Sequence, residues 1–320
     1  MNIGEVKNVE IKNKQITITG GTGFLGTNLY NTLISYGIPK ENISLGKGAD
    51  LTVREKCTYL FKDADIVFHL AAYTGGIGRH VREPGRIVRD NLLINTNTID
   101  FAAAAGVKKL VLVGTACSYS EAANVPLKED GIWDGYPAKE TAPYGWAKRM
   151  MMVQADAYRE QYGLNSITLI PTNIYGKYDH FDSENAHVIP ALISRIVKAK
   201  ESDTKEVVIW GDGSATREFI YAEDVSRAFI MATEHYDSPE PVNIGSGKET
   251  SIKDLVYMLC NITGYRGKIK WDTAKPTGFL RRCMDVSRAY ERFGFKASVG
   301  LREGLEETVR WYTTFEKNNR

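Results

Sequence analysis

A phenol and an ammonium stand four residues apart at Tyr144 and Lys148, in the run Pro143-Tyr144-Gly145-Trp146-Ala147-Lys148. On a helix those positions share a face, about 6 Å apart along the axis. Free tyrosine titrates near about 10, too high for easy proton transfer at neutrality, and a neighbouring cation favours the phenolate. The spacing therefore predicts a Tyr144 of lowered pKa that donates a proton to a carbonyl oxygen. Tyr-x-x-x-Lys also occurs by chance on many helices, so the rest of the chain has to support the chemistry.

The support begins at the first strand signal, Ile16-Thr17-Ile18-Thr19, followed by Gly20-Gly21-Thr22-Gly23-Phe24-Leu25-Gly26 and a helix from about 23 to 36. Glycines between a strand and a helix let backbone approach a pyrophosphate at the helix N-terminus. Gly20, Gly23, Phe24, Leu25 and Gly26 are thus candidate dinucleotide contacts. An NAD-binding protein offers Asp or Glu to the ribose 2′-hydroxyl at the end of the second strand, here 42 to 45. Gly46-Lys47-Gly48 stand there instead. An ammonium without a carboxylate suits a 2′-phosphate, which points to NADP(H). Lys47 could also be a solvated loop lysine, and Asp50 could serve a ribose or adenine.

Strands at 66 to 70, 109 to 113 and 166 to 170 alternate with helices at about 87 to 105 and 143 to 162. The pattern predicts an α/β fold, a Rossmann-type doubly wound parallel sheet. His69 lies within an apolar strand and reads as a satisfied core histidine. Beyond residue 175 the alternation breaks down, which predicts a smaller discontinuous α/β substrate domain. The expected division is 1–175 with about 217–249 for the NADP-binding domain, and about 176–216 with 250–320 for the substrate domain. The helix carrying Tyr144 is apolar around most of its circumference. It therefore asks for cover beyond its own sheet, and a homodimer through helices 87–105 and 143–162 is expected.

The 320 residues carry a formal net charge of only +2, and no basic run dominates, so neither nucleic acid nor an anionic membrane is an expected partner. No apolar leader or membrane-length stretch is visible, and Cys57, Cys117, Cys260 and Cys283 lack zinc-type spacing. A cytoplasmic protein without a metal site is the reading.

With Thr115, Tyr144, Lys148 and the glycine loop assembled, the chain resembles the extended short-chain dehydrogenase/reductases that act on nucleotide sugars. Within them it is most similar to the GDP-L-fucose synthase family. Gly75-Gly76-Ile77, Cys117, Pro171-Thr172-Asn173, His187-Val188-Ile189-Pro190-Ala191-Leu192, Trp210-Gly211-Asp212-Gly213, Arg217-Glu218-Phe219 and Lys275-Pro276 carry that resemblance. It implies epimerisation at C3 and C5 of a GDP-4-keto-6-deoxymannose, then reduction at C4 with NADPH. It further implies that Thr115 donates to the keto oxygen, that Tyr144 gives the proton, and that Lys148 holds the nicotinamide ribose. Cys117 and His187 become the epimerisation acid/base pair, and Arg195, Trp210, Arg217 and Asp285 nucleotide-sugar contacts. Leu51, Ala71, Ala72, Pro171, Asn173, Ile174 and His187 join the cofactor contacts.

Elementary chemistry agrees with those roles. Protons beside a ketone become removable once donors stabilise the enolate oxygen, and thiol and imidazole titrate near neutrality. The chain also departs from the family pattern. Thr115-Ala116-Cys117-Ser118-Tyr119-Ser120 replaces a usual Ser-Ser-Cys-Ile-Tyr-Pro, and Lys275-Pro276-Thr277-Gly278-Phe279-Leu280-Arg281-Arg282 a usual Lys-Pro-Asp-Gly-Thr-Pro-Arg-Lys. A GDP-deoxyheptose or another keto-sugar is therefore an alternative substrate. A 4,6-dehydratase would want Asp-Glu where Ala116-Cys117 stand, and a C4-epimerase would want an acid at 46 to 48.

Overall fold

The computed structural model describes residues 10–181, 186–274 and 279–318. In chain order the elements are β1 (Ile16–Thr19), α1 (Phe24–Ser35), β2 (Ile43–Ser44), β3 (Ile66–His69), α2 (Ile77–Arg82), α3 (Pro84–Ala104), β4 (Lys109–Val113), α4 (Ala142–Tyr162) and β5 (Ser166–Pro171). They continue with β6 (Asn173–Tyr175), α5 (Val188–Glu201), β7 (Glu206–Trp210), β8 (Thr216–Tyr221), α6 (Ala222–His235), β9 (Val242–Ile244) and β10 (Glu249–Ser251). Then come α7 (Ile252–Thr263), β11 (Lys268–Asp272), β12 (Arg281–Arg282), α8 (Ser287–Phe293) and α9 (Leu301–Asn318).

Six parallel strands in the order β2-β1-β3-β4-β5-β9 make the central sheet. Alternate residues of its strands serve two cores, as the two-residue period of a strand requires. Ile66 and Phe68 of β3 and Val111 of β4 enter one core with Leu29 and Leu33 of α1 and Phe229 of α6. Val67, Leu110 and Leu112 point the other way, to Ile99 of α3 and Met151 and Ala155 of α4. Both faces are covered, which explains the near-continuous apolar runs in sequence. Because β1 lies between β2 and β3, the chain switches direction at its C-terminal end, where ligands bind in such sheets.

A third core gathers Ile189, Ile193 and Ile196 of α5, Val207 and Ile209 of β7, Leu255 and Leu259 of α7, and Leu305 of α9. Beside it β8 pairs with β6, β10 and β12, while β7 and β11 pair with each other. The chain crosses the expected boundary at residue 250 once more than the sequence suggests. Ala289 and Phe293 of α8 and the following Phe295 pack into the α1–α6 core. No helix among the described residues is long and apolar enough to cross a membrane.

Candidate active site

The loop after β1 is built on glycines for steric reasons. Gly20 has φ +69, in the left-handed region, and a Cβ on Gly26 would overlap backbone of Gly20 and Gly21. Gly23 caps α1, whose first turn begins with Phe24 and Leu25 and points free N–H groups at the sheet's C-terminal edge. Ala71 N–H donates to Thr19 Oγ1 (3.3 Å), and Leu51 packs with Ile94, Ala71 and Tyr73. Ala72 follows directly, half-buried in the same loop. Pro171 closes β5; Asn173 Nδ2 donates to Glu218 O (2.8 Å), and Ile174 follows it on β6.

Lys47 is exposed and has no hydrogen bond or ion pair among the described residues. Asp50 is engaged locally: its Oδ1 accepts from Thr52 N (3.0 Å) and Thr52 Oγ1 (2.6 Å), which hold its carboxyl below the usual range.

The candidate reacting groups meet where α4 crosses the end of β4. Thr115 ends the strand's extension and caps a one-turn 3-10 helix, Ala116–Ser118. Its Oγ1 accepts from Cys117 N (3.2 Å), so the hydroxyl's own proton is left for another acceptor. Gly145 is required by the packing here, since a Cβ on it would overlap the Cys117 carbonyl oxygen. Ser118 Oγ donates to Gly145 O (3.3 Å) and Arg149 Nε to Ser118 O (2.8 Å), which fastens the turn to the helix. Thr115, Cys117, Tyr144 and Lys148 are thereby brought together.

The charge states differ from the expectation of a lowered phenol. Burial pushes the Tyr144 pKa up, the Cys117 sulfur adds to this, and the Thr74 hydroxyl opposes it. Lys148 Nζ lies 5.9 Å from the centre of the Tyr144 ring and is itself pulled down to about 7 by burial. Proximity of opposite charge is outweighed by desolvation of both groups. Lys148 is 2% exposed, and its one hydrogen-bond partner among the described residues is the Met151 sulfur at 3.8 Å. A buried ammonium with no oxygen acceptor of its own fits hydroxyls supplied from outside the chain, as a nicotinamide ribose would supply them.

His187 caps α5 through its backbone and is open to solvent. The surrounding protein, and then His180, push its imidazole below the ordinary pKa. Its field also reaches His80, whose ring touches Tyr144. His69, in contrast, is fully buried between Thr19 Oγ1 (2.8 Å) and Asn95 Oδ1 (3.1 Å), and burial holds it neutral with a pKa of about 3.

Among the expected sugar-nucleotide contacts, Arg195 Nη1 donates to Val208 O (2.9 Å) and Trp210 is 60% exposed at the end of β7. Arg217 lies opposite Arg282 in the β8–β12 register, and its pKa is lowered by burial and then by that second guanidinium. Arg282 Nη2 donates to Ala116 O (2.7 Å), tying β12 to the Ala116–Ser118 turn. Asp285 holds Ser287 N (3.0 Å) and Oγ (2.6 Å) at the start of α8. Lys275 and Pro276 lie outside the described residues. The sequence patterns do not single out Arg282 or His80. The doubled Arg281-Arg282 was visible, but nothing local says which arginine faces the site.

Residues 16–245 match the model of the NAD dependent epimerase/dehydratase family. The chain is 38% identical to the probable GDP-L-fucose synthase 1 of Oryza sativa subsp. japonica, over 94% of this chain and 92% of that protein. Among solved structures it is similar to a GDP-6-OMe-4-keto-L-xylo-heptose reductase from C. jejuni, 28% identical with a TM-score of 0.89, covering 96% of this chain and 99% of that one. It is also similar to a GDP-mannoheptose C4 reductase from Campylobacter jejuni with NADP bound, 28% identical with a TM-score of 0.85, covering 95% and 100%.

Proposed function

The chain belongs to the NAD dependent epimerase/dehydratase family, and on that premise we propose that it is an NADPH-dependent 3,5-epimerase and 4-reductase of a GDP-4-keto-6-deoxy sugar. The observation that carries this is the convergence of Thr115, Cys117, Tyr144 and Lys148 where α4 meets the end of β4. Bound NADPH supplies a hydride to C4. The chain supplies the rest: Lys148 holds the ribose and Tyr144 gives its proton to the keto oxygen. Thr115 donates to that oxygen while it carries enolate charge. Cys117 and His187 move protons at the neighbouring carbons, one removing and the other returning on the opposite face. Gly20, Gly23, Phe24, Leu25 and Gly26 take the pyrophosphate, Lys47 the 2′-phosphate, and Arg195, Trp210 and Arg217 the sugar nucleotide.

The division into an NADP-binding and a substrate part belongs to the same proposal, supported by the separate core around α5, α7 and α9. So does a homodimer through α3 and α4, where Leu92, Leu93, Met150 and Val153 are all at least 37% exposed on adjacent helices. A cytoplasmic location fits the free thiols at Cys57, Cys117, Cys260 and Cys283.

A second reading, C4 reduction of a GDP-heptose, is favoured by the two heptose reductases of closely similar fold. One experiment separates the readings. Enzyme incubated with GDP-4-keto-6-deoxymannose in deuterated water without NADPH should place deuterium at C3 and C5. Cys117→Ala should suppress that exchange about 10²- to 10⁴-fold, and Tyr144→Phe should slow reduction. If NADPH then added gives a product reduced at C4 that is free of solvent deuterium, the epimerase half is sunk.

A further inference from the structure

His80 has no part in the reaction as drawn, yet it is built into the site. Its side chain is 5% exposed on α2, the helix that starts as the chain leaves Gly75 and Gly76. The imidazole stands edge-on to the Tyr144 ring, with centroids 5.7 Å apart at 70°. Its Nε2 lies 3.4 Å from Thr74 Oγ1, and the Thr74 hydroxyl acts on the Tyr144 phenol in the sense that favours phenolate. Its Nδ1 is fully buried and has no hydrogen-bond partner among the described residues. An apolar ring would fill the space without leaving that atom unpaired, so packing alone does not account for a histidine here.

The backbone around Thr74 is fixed by other groups. Asn91 Oδ1 accepts from Tyr73 N (3.1 Å), Asn91 Nδ2 donates to Tyr73 O (2.8 Å), and Arg79 Nη1 donates to Thr74 O (2.8 Å). What those bonds leave free is the rotation of the Thr74 hydroxyl, and His80 is the group that faces it. Burial, then His187 and Arg79, favour the neutral ring, against the Gly75 backbone. A neutral ring protonated at Nε2 donates to Thr74 Oγ1 and leaves the hydroxyl proton for the Tyr144 oxygen.

We propose that His80 is a positioning residue for the reduction step, which orients the Thr74 hydroxyl toward the Tyr144 oxygen and braces the phenol ring. The proposal rests on Tyr144 being the proton donor. As Tyr144 gives its proton to the keto oxygen, negative charge appears on the phenol oxygen, and the Thr74 hydroxyl meets it there. Hydrogen bonds to charged groups are the strong ones, so loss of this contact should lower kcat about 10- to 100-fold.

The test is a double-mutant cycle on C4 reduction of GDP-4-keto-6-deoxymannose with NADPH. Thr74→Val removes the hydroxyl, and His80→Phe keeps the braced ring but removes Nε2. Each should cut kcat by that factor with KM changed less than about threefold, and the double variant should be no worse than the worse single one. His80→Gln, whose amide can reach the same hydroxyl, should recover most of the loss. Wild-type kcat in either single variant, or losses that multiply in the double one, overturn the proposal. Thr74→Val alone keeps it refutable should His80→Phe not fold. Tyr144→Phe tells the two failures apart. If it spares reduction, the reaction assignment is wrong; if it alone abolishes reduction, only the role of His80 is lost.

Discussion

Lys148→Met should give a more stable protein that reduces poorly. The ammonium is buried with a thioether as its partner, and its pKa falls from an ordinary 10.5 to about 7. At about 1.4 kcal/mol per unit, keeping the charge in place costs at most about 4–5 kcal/mol. The unfolded chain binds the extra proton between about pH 7 and 10.5, so this residue makes stability rise with pH across that window. The cost is full below pH 7 and has shrunk to about 1–2 kcal/mol by pH 9.5. Methionine keeps the apolar stem and removes the charge. Thermal unfolding at pH 6 should place the variant several degrees above wild type, and at pH 9.5 the gap should narrow by more than half. Saturating NADP⁺ should reverse the order in part, because only the wild type can hold the ribose hydroxyls. Equal midpoints at pH 6, or a gap that ignores pH, would refute the claim that Lys148 is an unpaid buried charge awaiting a ligand.

Lys47→Glu should raise the KM for NADPH at least about tenfold and leave NADH nearly unchanged, since the exposed ammonium is the cation of that loop and Asp50 is already held by Thr52. An unchanged cofactor preference in steady-state kinetics would show that the 2′-phosphate is read elsewhere. Met150→Glu, at a position 48% exposed beside Val153, should convert a dimer to a monomer by light scattering; a wild-type monomer at micromolar concentration would rule out the α3–α4 interface. Gly145→Ala should depress deuterium exchange and reduction together, by about 10² or more, because the added Cβ displaces the Cys117 turn from α4. Loss of one activity with full retention of the other would show that the turn and the helix do not act as a unit.

Much of this site is written in short spans of sequence. The strand, glycines and helix from Ile16 to Ser35 are contiguous, so each constrains its neighbour and the dinucleotide loop can be read directly. The Tyr144 and Lys148 pair is legible because four residues is a helical repeat. His69 is legible because β-branched and aromatic neighbours declare its strand to be core. The misses share a different cause. Helix α2 has six residues between a glycine pair and Pro84, too few to show a period, so His80 had no element to sit on. The pairing that sets Arg282 against Arg217 joins strands about 65 residues apart, a register no local pattern encodes.

The reversal at Tyr144 has the same root and says more about mechanism. Spacing reports which groups share a face; it does not report how much water the rest of the fold removes from them. In this fold dehydration wins at both members of the pair, pushing the phenol up and the ammonium down. A phenol that holds its proton is the form an acid needs before hydride arrives. The lowering needed for rapid transfer must then come from groups that strengthen once substrate and cofactor exclude the remaining solvent: the Lys148 ammonium, once hydroxyls keep it charged, and the Thr74 hydroxyl. On this account the site is set to remain protonated at rest and to become a better acid only when both ligands are in place.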